Sequence, residues 1–200
     1  MKKLLLTGFE PFLNFAFNPT ESIVEYLDGR TIGNYTIHGV VLPVDFNRSA
    51  EELITHYYHI NPEAVITLGM AAHRKRITPE RVAINIKDGA PDNDGYVPED
   101  EPIQEDGADA YFSKLPIKNI VTCLREKGIP AAISNTAGTY LCNNVMYSLL
   151  HELHQNEKTI PAGFVHIPAS FEIAMDEPEM PAWPLSTLQE GIETMIQTLE

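Results

Sequence analysis

Cysteine and basic charge are both scarce in this chain. Its 200 residues include two cysteines, Cys123 and Cys142, too few for the disulfide framework of a small secreted scaffold, so reduced thiols are expected. Lysine and arginine number 14 against 28 aspartates and glutamates, a formal net charge of −14. Phosphate-rich surfaces need clustered Lys and Arg, so neither nucleic acid nor anionic membrane is an expected partner; a small or peptide-like substrate fits better. No stretch approaches the ~18 apolar residues of a membrane span. The run Met1–Gly8 is basic then apolar, but it is too short for a signal peptide and has no small-residue cleavage site. It reads as a first strand, and a soluble, cytoplasmic protein is expected. His56 with His59 and His151 with His154 recur at i,i+3, yet no further His, Cys or acidic cluster completes a shell around them, so no metal site is expected. Internal repeats and low-complexity linkers are lacking too.

What is present suffices for one sizeable core: 44% of the residues are hydrophobic, and a single domain over residues 1–200 is expected. Strand and helix signals alternate. Lys3–Leu6 is a short apolar strand. Asn18-Pro19-Thr20-Glu21 then opens a helix, with Asn18 as N-cap, Pro19 in the first turn and Glu21 placed to reach back. Tyr35–Leu42, Ala64–Leu68, Val82–Ile86, Ala131–Ser134 and Gly163–Ile167 read as further strands. Asn47–Tyr58, Ile117–Lys127, the segment from Cys142 and the run Leu185 to Leu199 read as helices. This order implies an α/β fold, a three-layer α/β/α sandwich on a largely parallel, twisted sheet with right-handed crossovers. The acidic stretch Lys87–Ala110 reads as either an ordered excursion or a mobile surface loop.

In such sheets, sites form beyond the carboxyl ends of strands. Cys142 lies where a short apolar strand ends in a turn and an apolar-faced helix begins. Unpaired N–H groups and the positive end of the helix dipole favour a thiolate there, which makes Cys142 a candidate nucleophile with a depressed pKa. Taken alone it reads more readily as a small buried hydrophobe, since Val145, Met146, Leu149 and Leu150 follow at helical spacing. A cysteine nucleophile needs a base and a group to orient it. His166 closes the strand Gly163–Ile167 and is the best-placed base; its plain alternative is a buried histidine satisfied by a backbone carbonyl. Glu80, at the mouth of the strand from Val82, is a candidate orienting carboxylate or an ordinary surface acid. Phe9 and Phe12, in the loop after the first strand, suit a flat apolar ligand or packing against a neighbouring loop. Cys123 sits among Ile117, Ile120, Val121 and Leu124 and reads as packing.

Taken together, Thr7–Phe12, Asn18–Thr20, Leu42–Val44, Glu80–Asn85, Pro91–Asn93, Ala110–Pro116, Ser134–Asn143 and Gly163–Pro168 resemble the pyroglutamyl peptidase I family of cysteine peptidases, also called pyrrolidone carboxyl peptidases. The resemblance implies removal of N-terminal pyroglutamate through an acyl-enzyme, with Cys142 as nucleophile, His166 as acid/base and Glu80 orienting it. It implies that Phe9 and Phe12 line the pocket for the pyroglutamyl ring, that no cofactor is required, and that the chain assembles as a homotetramer. One departure stands out. Asp88-Gly89-Ala90-Pro91-Asp92-Asn93 is one residue shorter than the family pattern and lacks its arginine, which is associated with stabilising the oxyanion. Backbone N–H groups near Cys142 or the side chain of Arg74 are the candidate substitutes. The same departure keeps a second reading open, a non-catalytic protein that binds pyroglutamyl or other blocked N-termini. A third is an α/β hydrolase acting on another small amide.

Overall fold

The structure is a computed structural model and describes residues 1–13, 15–175, 177 and 179–199. In chain order its elements are β1 (Lys2–Phe9), α1 (Pro19–Leu27), β2 (Thr31–Ile32), β3 (Tyr35–Leu42), α2 (Arg48–Ile60), β4 (Ala64–Met70), β5 (Thr78–Pro79), β6 (Val82–Ile84), β7 (Ala110–Phe112), α3 (Ile117–Glu126), α4 (Leu141–Gln155), β8 (Ala162–Ile167), β9 (Ala169–Ser170), α5 (Phe171–Ala174), β10 (Ala182–Trp183) and α6 (Leu185–Gln197). Six of the strands form one sheet in the order β2-β3-β1-β4-β8-β5. Its centre is parallel, and the two short edge strands β2 and β5 pair antiparallel.

Both faces of this sheet are covered, which explains why the central strands are continuous apolar runs rather than alternating ones. Leu4, Leu6, Ile66, Leu68, Val165 and Ile167 point to one side, against Ile23, Val24 and Leu27 of α1, Leu124 of α3 and Ile192, Met195 and Ile196 of α6. Leu5, Val65 and Phe164 point to the other, against Leu53 and Tyr57 of α2 and Val145, Leu149 and Leu150 of α4. The alternating α/β/α architecture is therefore as expected. The strands' carboxyl ends gather Phe9, Met70 and Ile167 at one edge of the sheet, and the α4 side of that edge holds the site.

Several local expectations change. Ala131–Ser134 is not a strand: only isolated bridges, Ile77 with Ala131 and Glu80 with Ser134, connect it to its neighbour. The strand expected over Val82–Ile86 ends at Ile84 and lies outside the main sheet, paired antiparallel with β7. At α1, Asn18 is the N-cap and its side chain accepts from the Thr20 N–H, but the Glu21 side chain makes no return bond; its backbone N–H bonds the Asn18 carbonyl instead. Cys123 is half-exposed rather than packed inside. Of the two readings of Lys87–Ala110, the ordered one holds. Asp92 accepts from the N–H groups of Phe46, Asp94 and Tyr96, Asn93 donates to Glu10 and to the Pro11 carbonyl, and Lys87 and Glu101 exchange backbone bonds. No described helix is long and apolar enough to cross a membrane.

Candidate active site

His166 is delivered by strand alternation. Phe164 faces α4, so His166, two residues on, faces the same way, and the two rings pack with centroids 4.9 Å apart. On the neighbouring strand the residue in register is Gly69. Its missing side chain is filled by its neighbours: a Cβ there would lie 2.6 Å from the Phe164 ring and 2.9 Å from the sulfur of Cys142. Cys142 enters from the opposite wall, on the first turn of α4. That turn is set up by Gly138 at φ +81° and by extended backbone at Tyr140, whose carbonyl accepts the N–H groups of Asn143 and Asn144. The N–H group of Leu141 has no hydrogen-bond partner among the described residues, as expected at a helix start, and that of Cys142 is turned to its own sulfur.

Cys142 and His166 line one cavity of roughly 180 Å³ with Phe9, Phe12, Val44, Met70, Ala137, Tyr140 and Leu141. Both phenylalanines expected at a pocket are there. His166 is 5% exposed, and its Nδ1 lies 2.7 Å from Oε1 of the fully buried Glu80. This hydrogen bond fixes the ring and leaves Nε2 as the nitrogen free to exchange a proton. Glu80 is brought there by the two-residue strand β5, with Thr78 opposite His166 and the Glu80 N–H bonded to the Phe164 carbonyl. The alternative readings of Glu80 as a surface acid and of His166 as a histidine held by a carbonyl are thereby set aside.

The electrostatics differ from the expectation at Cys142. Burial pushes its thiol up to about 12, the negative charge of Glu80 adds to the rise, and Arg74 only partly offsets it. The helix start does not yield a depressed thiol because the sulfur is buried in an apolar cavity and feels the negative charge of Glu80. Burial also holds His166 below the ordinary imidazole range, against the pull of Glu80. Both shifts favour the uncharged form, a thiol at Cys142 and a neutral imidazole at His166. Arg74 is a second correction. It is no candidate oxyanion donor, since its guanidinium is committed to Glu80 Oε1 at 2.6 Å, Thr78 Oγ1 at 2.5 Å and the Thr136 carbonyl at 3.2 Å.

Asn143 and Asn144 were not singled out by sequence reasoning. The amide of Asn143 accepts from the Ile84 N–H and donates to the carbonyls of Ile84 and Ile86, while Asn144 donates to the carbonyl of Phe46. Both are buried, and they lock the start of α4 to the segments that frame the cavity. Two consecutive amides on the core side of an apolar helix were the available signal, because buried amides must find partners. Among the described residues no group of three or more His, Cys, Asp or Glu side chains is arranged to hold a metal.

The pyroglutamyl peptidase family model matches residues 2–200. This chain belongs to the pyroglutamyl peptidase family. It is 50% identical over 197 residues to the pyrrolidone-carboxylate peptidase of Halalkalibacterium halodurans, covering 98% of each chain. It is 55% identical over 197 residues to that of Lysinibacillus sphaericus, covering 98% of this chain and 96% of that one. The pyrrolidone carboxyl peptidase structure from Thermococcus litoralis superposes with a TM-score of 0.95 at 44% identity, over 98% of this chain and 92% of that chain. The matched residues thus span every element that carries the cavity.

Proposed function

We propose that this chain is a cysteine-type pyroglutamyl peptidase in which Cys142 is the nucleophile, His166 the acid/base and Glu80 the residue that orients it. The observation that carries the proposal is the cavity itself: an apolar slot walled by Phe9 and Phe12, with a cysteine on one side and a glutamate-bound histidine on the other. With both partners neutral at rest, His166 Nε2 takes the thiol proton as the sulfur attacks the carbonyl of the N-terminal pyroglutamyl residue. The carbonyl carbon becomes tetrahedral and its oxygen negative. Collapse breaks the C–N bond, and the imidazolium returns the proton to the departing amine. A water molecule, deprotonated by the same nitrogen, then hydrolyses the thioester.

On this reading the oxyanion falls to the N–H groups of Leu141 and Cys142 at the start of the fifteen-residue α4, backed by its positive end. These donors would take the place of the loop arginine of related sequences, which favours catalysis over the alternative of a catalytically inactive binder of blocked N-termini. Selectivity follows from desolvation. A lactam carries no charge and can enter an apolar slot, whereas an ordinary N-terminus would bury an ammonium with no counter-charge, at a cost of several kcal/mol.

The test is hydrolysis of a pyroglutamyl-aminomethylcoumarin substrate by wild type and Cys142→Ser, beside a prolyl control. Turnover of the pyroglutamyl compound alone, abolished in Cys142→Ser, is the expected result. A folded wild type that binds pyroglutamate without turnover would transfer the assignment to the binding protein. The proposal extends to one domain over residues 1–200, a cytoplasmic location and assembly as a homotetramer, supported by the family resemblance and by two free thiols; light scattering showing a monomer would remove the last of these.

A further inference from the structure

Four successive residues after β4 carry or can carry positive charge: His73, Arg74, Lys75 and Arg76. His73, Lys75 and Arg76 are exposed, while Arg74 turns inward with its side chain 28% exposed. Its guanidinium reaches three places at once. Nη1 donates to Oε1 of Glu80 and to Thr78 Oγ1, and Nη2 donates to the carbonyl of Thr136. Oε1 of Glu80 is also the oxygen that holds His166 Nδ1, and Oε2 has no partner. The carboxylate is fully buried, so its position and charge depend on these two contacts to one oxygen.

We propose that Arg74 is a positioning residue of the hydrolytic site: one guanidinium fixes the carboxylate on which His166 is held and ties it to the loop that ends at Cys142. This deepens the peptidase reading given above and rests on it. Thr136 belongs to the turn Ser134–Tyr140, whose Arg81–Ser134 and Ser134–Pro79 backbone bonds anchor its far end. Arg74 closes the circuit between the two walls of the cavity, and no other described side chain bonds both Glu80 and this turn. A lysine cannot replace it fully, because a single ammonium on a flexible stem lacks the planar fork that spans a carboxylate and a carbonyl in different directions.

The charged and titratable groups that face Glu80 are His166 from β8, Arg74 from the loop after β4 and Cys142 from α4. Arg74 lowers the proton affinity of both His166 and Cys142. Without it the negative charge of Glu80 acts on them unshielded, so the imidazolium persists to higher pH and the thiolate forms later.

Arg74→Met and Arg74→Lys are compared with wild type in steady-state hydrolysis of the pyroglutamyl-aminomethylcoumarin substrate and in the pH profile of Cys142 alkylation by iodoacetamide. For Arg74→Met the expected result is a kcat lower by about 100-fold with KM within about threefold, an acid limb of kcat/KM displaced to higher pH, and alkylation beginning at higher pH. Arg74→Lys is expected to recover part of kcat, with an acid limb nearer that of wild type. A folded Arg74→Met with wild-type kcat and both profiles unmoved would overturn the proposal. So would a kcat loss in Arg74→Met with no displacement of either profile, which is the pattern of a merely structural role. Alkylation needs no turnover. An inactive wild type would therefore sink the peptidase reading while the alkylation profiles still decide the role of Arg74.

Discussion

Gly69→Ala is the sharpest test of how the site is packed. Gly69 sits in β4 outside the left-handed region, so alanine is acceptable to the backbone and the effect is purely steric. The added Cβ would meet the Phe164 ring at 2.6 and 2.8 Å and the Cys142 sulfur at 2.9 Å, where ordinary contact begins at 3.4 Å. The ring must retreat by about 0.8 Å and the sulfur by about 0.5 Å. Phe164 is the ring on which His166 packs, so the Cys142 sulfur and the His166 ring are both displaced. A misplacement of about 1 Å can cost ~100-fold in rate, so a fall of ~10- to ~100-fold in kcat/KM is expected. Overpacking costs ~1–3 kcal/mol, which at this chain length lowers Tm by roughly 2–4 °C per kcal/mol. The control is Gly163→Ala, whose Cβ would strike Ser113 and Leu115, away from the sulfur; it should lower Tm comparably and leave kcat/KM within about twofold. If Gly69→Ala keeps wild-type kcat/KM on the pyroglutamyl-aminomethylcoumarin substrate, the sulfur and imidazole are not held as described.

Three other perturbations probe the same frame. His166 is held below 6.5 in the folded state, so the unfolded chain binds more protons as pH falls past that value, and stability drops on the acid side. Cys142 is raised from 9.0 to about 12, so the unfolded chain loses its proton first and stability falls as pH rises above 9.0. Between pH 9 and 10, before Tyr140 and Tyr147 contribute, urea titrations should show this loss in wild type and not in Cys142→Ala. Asn18→Ala removes the cap of α1 and leaves the Glu10 carbonyl without its donor. It should cost ~2–3 kcal/mol by chemical denaturation, and a loss below ~0.5 kcal/mol would contradict the capping role. Asp92→Ala strips the acceptor from three N–H groups and should open 87–106 to limited proteolysis. Unchanged cleavage would mean that other contacts hold the segment.

The layers were legible because they rest on local periodicity. Ile23, Val24 and Leu27 on α1, or Leu188, Ile192, Met195 and Ile196 on α6, declare a helix face wherever the chain then goes, and Ala64–Leu68 declares a doubly covered strand. The structure also brings Phe9, Phe12, Cys142 and His166 to one cavity and places Glu80 behind His166. What the sequence did not reveal is carried by pairings without a period. Ala131–Ser134 is apolar enough for a strand, but its neighbour β5 is two residues long and ends in proline, which has no N–H to donate to a ladder. The thiol's raised pKa was hidden for a similar reason: the helix start is visible in sequence, whereas the burial of the sulfur and the approach of Glu80 are tertiary facts.

That two-residue strand is where the site is decided. Glu80 and His166 are 86 residues apart, and the antiparallel pairing of Thr78 with His166 and Pro79 with Val165 sets their register. The bond from the Glu80 N–H to the Phe164 carbonyl continues the pairing by one step, and a slip of one residue would turn the carboxylate to the other face. So short a ladder cannot hold a buried charge by itself. Arg74 reinforces it from one side, through Thr78 and Glu80, and the backbone bonds of Ser134 to Pro79 and Arg81 reinforce it from the other. The triad-like order therefore depends more on this small, charge-braced edge than on the large apolar core beneath it. Core substitutions distant from β5 should lower Tm well before they disturb the pH profile, whereas changes at Thr78 or Arg74 should do the reverse.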